Sequence, residues 1–381
     1  GTNLNLGFRF GNIMMSDLAL AVLCVLIVKR IIIDYNYQFN KKSFVFIMVA
    51  IWFCALGILL GNEIGNVLQD FKLFLYVFAP YVYLKSETID DEFLSNVMLT
   101  LKFYVMTVFG MEVHNLVTVG LDTMVSNGFG QRDVAIIVQF VPLAATCFYV
   151  NKRNEAPVIY ILFQSICFLA CLFSFTRTVW IAYIVSYAVV LTMSGRNALK
   201  SLRNILYAVI VVFVALLAIK MTFPQVYNDY IGAVISRITD STNSNNTVNH
   251  RYEQAIALFN TKVMRPLTLI GAGFGEITEL KNSVFMENSI LYYFWKYGLF
   301  PTLYFVFLII KNTVLAIKTK NNTLIAAAVS LFVFCIVGNF SGNLNLYYCM
   351  PAISFIFAYP YMKEHYIINQ DWQDNGDEIE T

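Results

Sequence analysis

Five side chains have the type and the setting for ionic chemistry at a membrane edge. Arg177 lies in Ser174-Phe-Thr-Arg-Thr-Val-Trp180, between two apolar runs with almost no loop. A charge at a bilayer centre costs about 2.5–3.5 kcal/mol, and less at the rim. An arginine kept there either snorkels to the headgroups or holds an anion. Trp180 fits an interfacial anchor beside it. Arg251 opens His250-Arg-Tyr-Glu-Gln-Ala-Ile-Ala-Leu-Phe-Asn260, whose apolar positions recur at helical spacing. This predicts an amphipathic helix on the membrane or across the end of the bundle. A cation in its first turn opposes the helix dipole, which favours a ligand role over a structural one. Arg265 follows in the same polar stretch. Lys72 lies near the end of another apolar run, where Asp70 is a candidate partner. Glu287 precedes Asn288 and a long apolar run. An acid at a helix start gains about 0.3–1 kcal/mol from the dipole. Partly desolvated, it is also a better base near neutral pH.

Other groupings exclude chemistry. Gly271-Ala-Gly-Phe-Gly275 lacks the spacing of a dinucleotide fingerprint and the Lys and Ser/Thr of a phosphate loop. A tight, close-packed turn is expected there, with exposed amides for an anion as the sharper alternative. The seven cysteines all lie in apolar runs and read as small buried hydrophobes. The three histidines, His114, His250 and His365, do not cluster, so no protein-built metal site and no cofactor are expected.

The elements that must position these groups are membrane helices. The chain has 381 residues, is 58% hydrophobic and only 13% charged. A soluble domain carries about 25% charge, so a water-soluble globule is excluded. A net charge of +2 is too small to imply nucleic acid as a partner. Apolar runs of about 18–22 residues predict an all-α polytopic transmembrane bundle of about eleven spans. Expected spans are 17–33, 44–60, 67–84, 93–111, 134–150, 158–174, 179–194, 205–223, 289–310, 324–340 and 346–362. This divides the chain into N-terminal membrane helices (1–223), a large loop (224–288), C-terminal membrane helices (289–363) and an acidic tail (364–381). Alternate connections are basic, including Lys29, Arg30, Lys85, Lys152, Arg153 and Lys318. By the positive-inside rule they are cytoplasmic. The turn 61–66, the loop starting at Glu112, the Arg177 corner and the 224–288 loop then lie outside. A first helix ahead of Gly1 would fit this topology. Charges deep in the spans are expected to be few, with Lys102 the main exception.

Read together, these segments resemble the O-antigen polymerase and ligase superfamily, bacterial membrane glycosyltransferases of the GT-C type. Ser174-Phe-Thr-Arg177 is similar to the family's S-x-S-R helix edge. Arg251 with Gly271-Ala-Gly-Phe-Gly275 is similar to its R…G-x-G block in the large periplasmic loop. Glu287-Asn-Ser-Ile-Leu…Gly298-Leu is similar to its H-N-x-x-L…G-L helix, and Lys72 to a basic residue at the outer end of an early helix. Ligases carry His where Glu287 stands, so the exchange favours a polymerase.

The resemblance implies a donor glycan on undecaprenyl pyrophosphate and a lipid-linked repeat unit as acceptor, joined at the periplasmic face of the bacterial inner membrane. A chain-length regulator is a further implied partner. The leaving pyrophosphate needs charge neutralisation, which suits Arg177 and Arg251, with Arg265 and Lys72 in support. Glu287 would take the acceptor proton, and the transfer would invert the anomeric centre without a metal. Two alternatives are a ligase moving finished glycan to lipid A core, and a flippase or transporter of lipid-linked sugars. The transporter predicts charges along a path through several spans.

Overall fold

The computed structural model describes residues 9–10, 13–33, 41–85, 87, 89–119, 138–151, 157–174, 176–193, parts of 206–229 and 252–256, 269, 271–275, 288–318, 321–339 and 353–362. Apart from a two-residue antiparallel ladder, β1 (Arg9–Phe10) and β2 (Ile13–Met14), the elements are helices. They are α1 (Met15–Ile32), α2 (Lys41–Leu59), α3 (Ile64–Lys85), α4 (Asp91–Val119), α5 (Val141–Val150), α6 (Pro157–Phe173) and α7 (Arg177–Met193). After these come α8 (Ser289–Tyr297), α9 (Leu299–Ile317), α10 (Asn322–Asn339) and α11 (Ile353–Met362).

Three helices, Ile64–Lys85, Glu92–His114 and Leu299–Ile317, are long and apolar enough to cross a membrane. Their outward positions are apolar too: Leu99, Phe103 and Phe307 are all more than half exposed. A water-facing surface would not carry such a continuous apolar cover.

The chain divides into two compact units that interleave along the sequence. One comprises residues 1–6, 94–246 and 317–337; the other comprises residues 7–93, 247–316 and 338–381. The first unit is built around α5, in which nine of ten residues are buried. Ala144 and Ala145 on α5 are completely buried and let α6 and α7 approach closely. Some of its buried polar groups are hydrogen-bonded within the unit. Thr146 and Ser330 share a 2.6 Å hydrogen bond, Gln164 Nε2 donates to the Ala145 carbonyl at 3.0 Å, and Tyr187 donates to Gln164 Oε1.

In the second unit, two ion pairs bracket the α1–α3 contact. Lys72, in the first half of α3, meets Asp17 in the first turn of α1 at 2.6 Å, and Arg30, in the last turn of α1, meets Glu87, just past the end of α3, at 2.6 Å. The two helices therefore run in the same direction. Ser354 Oγ donates to the Val77 carbonyl (2.8 Å) and Asn312 Nδ2 to the Ile356 carbonyl (3.0 Å), tying α11 to α3 and α9.

Three expectations need correction. The run 289–310 is not one helix: it breaks at Gly298, which takes φ +83° between α8 and α9. Glu112 does not open a loop, because α4 continues to Val119 and buries it completely. Charges within the apolar helices are also more numerous than expected, since Asp70, Glu112 and Lys296 are each at most 1% exposed.

Candidate functional site

In the second unit, polar side chains and a glycine turn converge on the Asp70 carboxylate. Asp70 stands on α3 and is 1% exposed. Its Oδ2 accepts from the Gly275 backbone N–H at 2.7 Å and from Lys296 Nζ, while its Oδ1 accepts from the Tyr292 hydroxyl at 3.1 Å. Lys296 is itself fully buried on α8, and its ammonium also sits over the rings of Trp295 (5.0 Å) and Tyr292 (5.3 Å). Tyr292 and Lys296 are four residues apart on one face of α8, so both reach the same acceptor. Full burial of either charge alone would be prohibitive; paired and hydrogen-bonded, both are tolerable.

The turn Gly271–Gly275 is the third contributor, and its amides from Ala272 to Gly275 are consumed by protein. α8 has only nine residues, and its last carbonyls have no partner within the helix. The Gly298 N–H takes the Phe294 carbonyl (2.9 Å), the Ala272 N–H takes Trp295 (3.2 Å) and the Gly273 N–H takes Lys296 (3.0 Å). The Phe274 N–H donates to the Phe53 carbonyl on α2 (3.0 Å), and Asn62 Nδ2 holds the Phe274 carbonyl at 2.8 Å. The Phe274 side chain is wholly buried between Phe53 (5.8 Å) and Tyr297 (5.9 Å). Glycine is required by proximity as well as by φ. A Cβ on Gly57 of α2 would collide with the Phe274 carbonyl, and one on Gly273 with the Gly57 backbone. Gly273 also takes φ +79°. The turn is thus a close-packed peg, and the anion-binding alternative for its amides does not hold.

The predicted site residues fall in different places. Lys72 does not pair with Asp70. Two positions apart on a helix, they face different ways, and Lys72 binds Asp17, whose Oδ1 also accepts from the Tyr76 hydroxyl at 2.7 Å. Arg177, in the other unit, is the exposed first residue of α7. Its corner is braced by local bonds: Ser174 Oγ to the Cys171 carbonyl (2.6 Å), and Thr176 Oγ1 to the Ser174 carbonyl (2.8 Å). Trp180 joins the same corner. Its Nε1 donates to the Cys171 carbonyl at 2.7 Å and staples α6 to α7. Arg251, Arg265 and Glu287 lie outside the described residues, although Tyr252, Glu253, Ala255 and Ile256 beside Arg251 are helical. Asn288, next after Glu287, caps α8 through Oδ1 to the Leu291 N–H at 3.1 Å.

From the sequence Asp70 is a candidate only as the partner of Lys72, and Tyr292 and Lys296 carry no expectation. The available signal was two opposite charges, each deep in an apolar run, which need each other in a low-dielectric interior. Among the described residues no group of His, Cys, Asp and Glu could hold a metal ion. No family model, curated protein or solved structure matches the chain.

Proposed function

We propose that the protein is a membrane glycosyltransferase of the GT-C type. It polymerises undecaprenyl-pyrophosphate-linked repeat units into an O-antigen- or capsule-type polysaccharide. On this reading about eleven spans cross the bacterial inner membrane, and the site opens to the periplasm. One observation carries it. The buried Asp70 centre ties together the helix bearing Lys72, the helix that follows Glu287, and the glycine turn that follows Arg251 and Arg265 in the chain. Three segments that the chemistry needs side by side thus share one anchor. Arg177 adds a second point of support. It is exposed at a helix N-terminus, where a cation gains nothing from the dipole, as a residue kept for an anionic ligand would be.

In the proposed reaction the acceptor sugar hydroxyl attacks the anomeric carbon of the donor glycan. The C–O bond to pyrophosphate breaks, and undecaprenyl pyrophosphate leaves with the bonding pair. Arg177 and Arg251, with Arg265 and Lys72, neutralise that leaving group. Glu287 takes the hydroxyl proton. The test uses purified protein in detergent with lipid-linked repeat units. A ladder of glycan lengths is expected, and Glu287→Gln should lower its rate by about 10²–10⁴. Arg177→Ala and Arg251→Ala each remove a charge-assisted bond of about 1.5–3 kcal/mol, a loss of roughly tenfold to a hundredfold. Full activity in Glu287→Gln would exclude it as the base.

A second reading, translocation of lipid-linked sugars, is favoured by one observation. Glu112 is buried in α4 with neither carboxylate oxygen hydrogen-bonded among the described residues. A transporter predicts such a charge along its path. Movement of a labelled lipid-linked sugar between leaflets of proteoliposomes, with no ladder formed, would select this reading.

A further inference from the structure

We propose that Glu112 is a proton-binding site of the first unit, and that a polar seam between α6 and α7 is the route its proton takes through that unit. The site stands apart from both readings above, since proton entry is measured with no glycan present. The seam is set by spacing. On α6, Tyr160, Gln164, Cys167 and Cys171 follow one another by four, three and four residues, and Ser174 comes three later. That spacing puts all five on one face of the helix, and all five are buried. At about 1.5 Å per residue, the 17 residues of α6 span about 25 Å, close to the roughly 30 Å of a hydrocarbon core. On α7 the matching groups are Tyr183, Ser186 and Tyr187. The Tyr183 and Tyr187 rings meet at 4.9 Å, Tyr187 donates to Gln164 Oε1, and the Tyr149 ring of α5 lies 5.9 Å from that of Tyr187. Cys167 and Cys171 are within electrostatic reach of Tyr183. The seam ends at the exposed Arg177 corner, and Glu112 meets it about one turn inside. There the Glu112 carboxyl is within electrostatic reach of Cys171, and Phe109, one turn earlier on α4, stacks on Phe173 of α6 at 6.2 Å.

Polar contacts between membrane helices commonly serve to hold them together. The bond between Gln164 and Tyr187 fits that use, but its neighbours do not. Ser186 Oγ, the Tyr149 hydroxyl and both oxygens of Glu112 are buried with no hydrogen-bond partner among the described residues. Such groups cost stability, so stability does not account for them. An isolated charge would cost far more, so the enclosed Glu112 is a neutral acid that holds a proton. Ionisable side chains inside membrane helices mark ion paths and proton relays. Hydroxyls and thiols both donate and accept, which suits the passage of a proton. They do not form the cage of carboxylate and carbonyl oxygens that a hard metal cation takes. The other titratable or charged groups around Glu112 are Cys171 on α6, His114 on α4 itself and Arg177 at the start of α7. In the transfer an O–H bond forms on the carboxylate as one breaks on the donor, and nothing is oxidised or reduced.

The test uses the full chain in vesicles of phosphatidylethanolamine and phosphatidylglycerol with a pH-sensitive dye trapped inside. Potassium and valinomycin remove any electrical potential, and acid is added outside. The parent should acidify the lumen faster than protein-free vesicles do. Glu112→Gln should lose that excess completely. Tyr187→Phe, which removes a hydroxyl from the seam and leaves the carboxyl, should lose it too. A hydrophobic carbodiimide, which adds to a protonated carboxyl in apolar surroundings, reads the site itself. It should label Glu112 in the parent and in Tyr187→Phe, less as the pH is raised. An acid sealed in a purely structural core would label alike at every pH, or not at all. Either labelling pattern overturns the proposal. So do a parent no faster than protein-free vesicles and parent-like entry in Glu112→Gln or Tyr187→Phe. If Glu112→Gln fails to fold, Glu112→Leu takes its place, and Tyr183→Phe does so for Tyr187→Phe.

Discussion

Removing one member of a buried pair differs from removing both. Lys296→Met alone strands the Asp70 carboxylate among apolar side chains, and should cost about 3–5 kcal/mol in thermal unfolding, most of it recovered by adding Asp70→Asn. Glu112 behaves oppositely. Completely buried and without a hydrogen-bond partner among the described residues, it contributes nothing that an apolar side chain would lose. Glu112→Leu should leave the melting temperature unchanged or raise it; a fall of several degrees would mean that the carboxyl is engaged in the folded protein. Both cases show how far single residues can be read from the chain. Asp70 and Lys72 are neighbours in sequence, which suggested a pair, yet helical geometry turns them apart and each finds a distant partner. The partner of Asp70 lies 226 residues away, beyond the reach of any local periodicity. Arg177, by contrast, was legible because a charge between two apolar runs leaves few places for the chain to go.

Among elements, the decisive unit is the contact of α2 with the glycine peg. Gly57 and Gly65 make a matched pair for testing it. Gly57 faces the Phe274 carbonyl with no room for a methyl group, whereas Gly65, in the first turn of α3, faces open space. Gly57→Ala should destabilise by about 1–3 kcal/mol, the usual cost of overpacking. Gly65→Ala should gain up to about 0.5–1 kcal/mol from helix propensity. Similar melting temperatures for the two would remove the peg from the account. The close-packed turn was foreseeable from three glycines in five residues. Its destination was not, because the carbonyls it caps belong to α8, and α8 exists as a separate helix only because the chain turns at Gly298. An apolar run fixes the presence of helix; it does not reveal a break within it, nor that α4 carries on past a carboxylate to Val119.

For the whole molecule, the apolar helices were the most legible feature, because composition alone excludes a soluble globule. Three of them have the length and composition to cross a membrane. Orientation is open to direct test. Glu63 and Asp90 are exposed beyond opposite ends of α3. Glu63→Cys should react with an impermeant maleimide added outside intact cells, and Asp90→Cys only after the membrane is opened. The reverse pattern would invert the topology and turn the proposed site toward the cytoplasm.

The distance between Asp70 and Lys296 along the chain also has a consequence for biosynthesis. At about 5–20 residues per second, a ribosome needs roughly 10–45 s to travel from the aspartate codon to the lysine codon. For most of that interval α3 carries a lone carboxylate with neither Lys296, Tyr292 nor the Gly275 amide yet made. Nascent chains halted before residue 296 should therefore hold α3 loosely, open to alkaline extraction or to quality-control proteases. Chains halted well beyond it should resist both. The last helices would thus complete the membrane integration of one of the first.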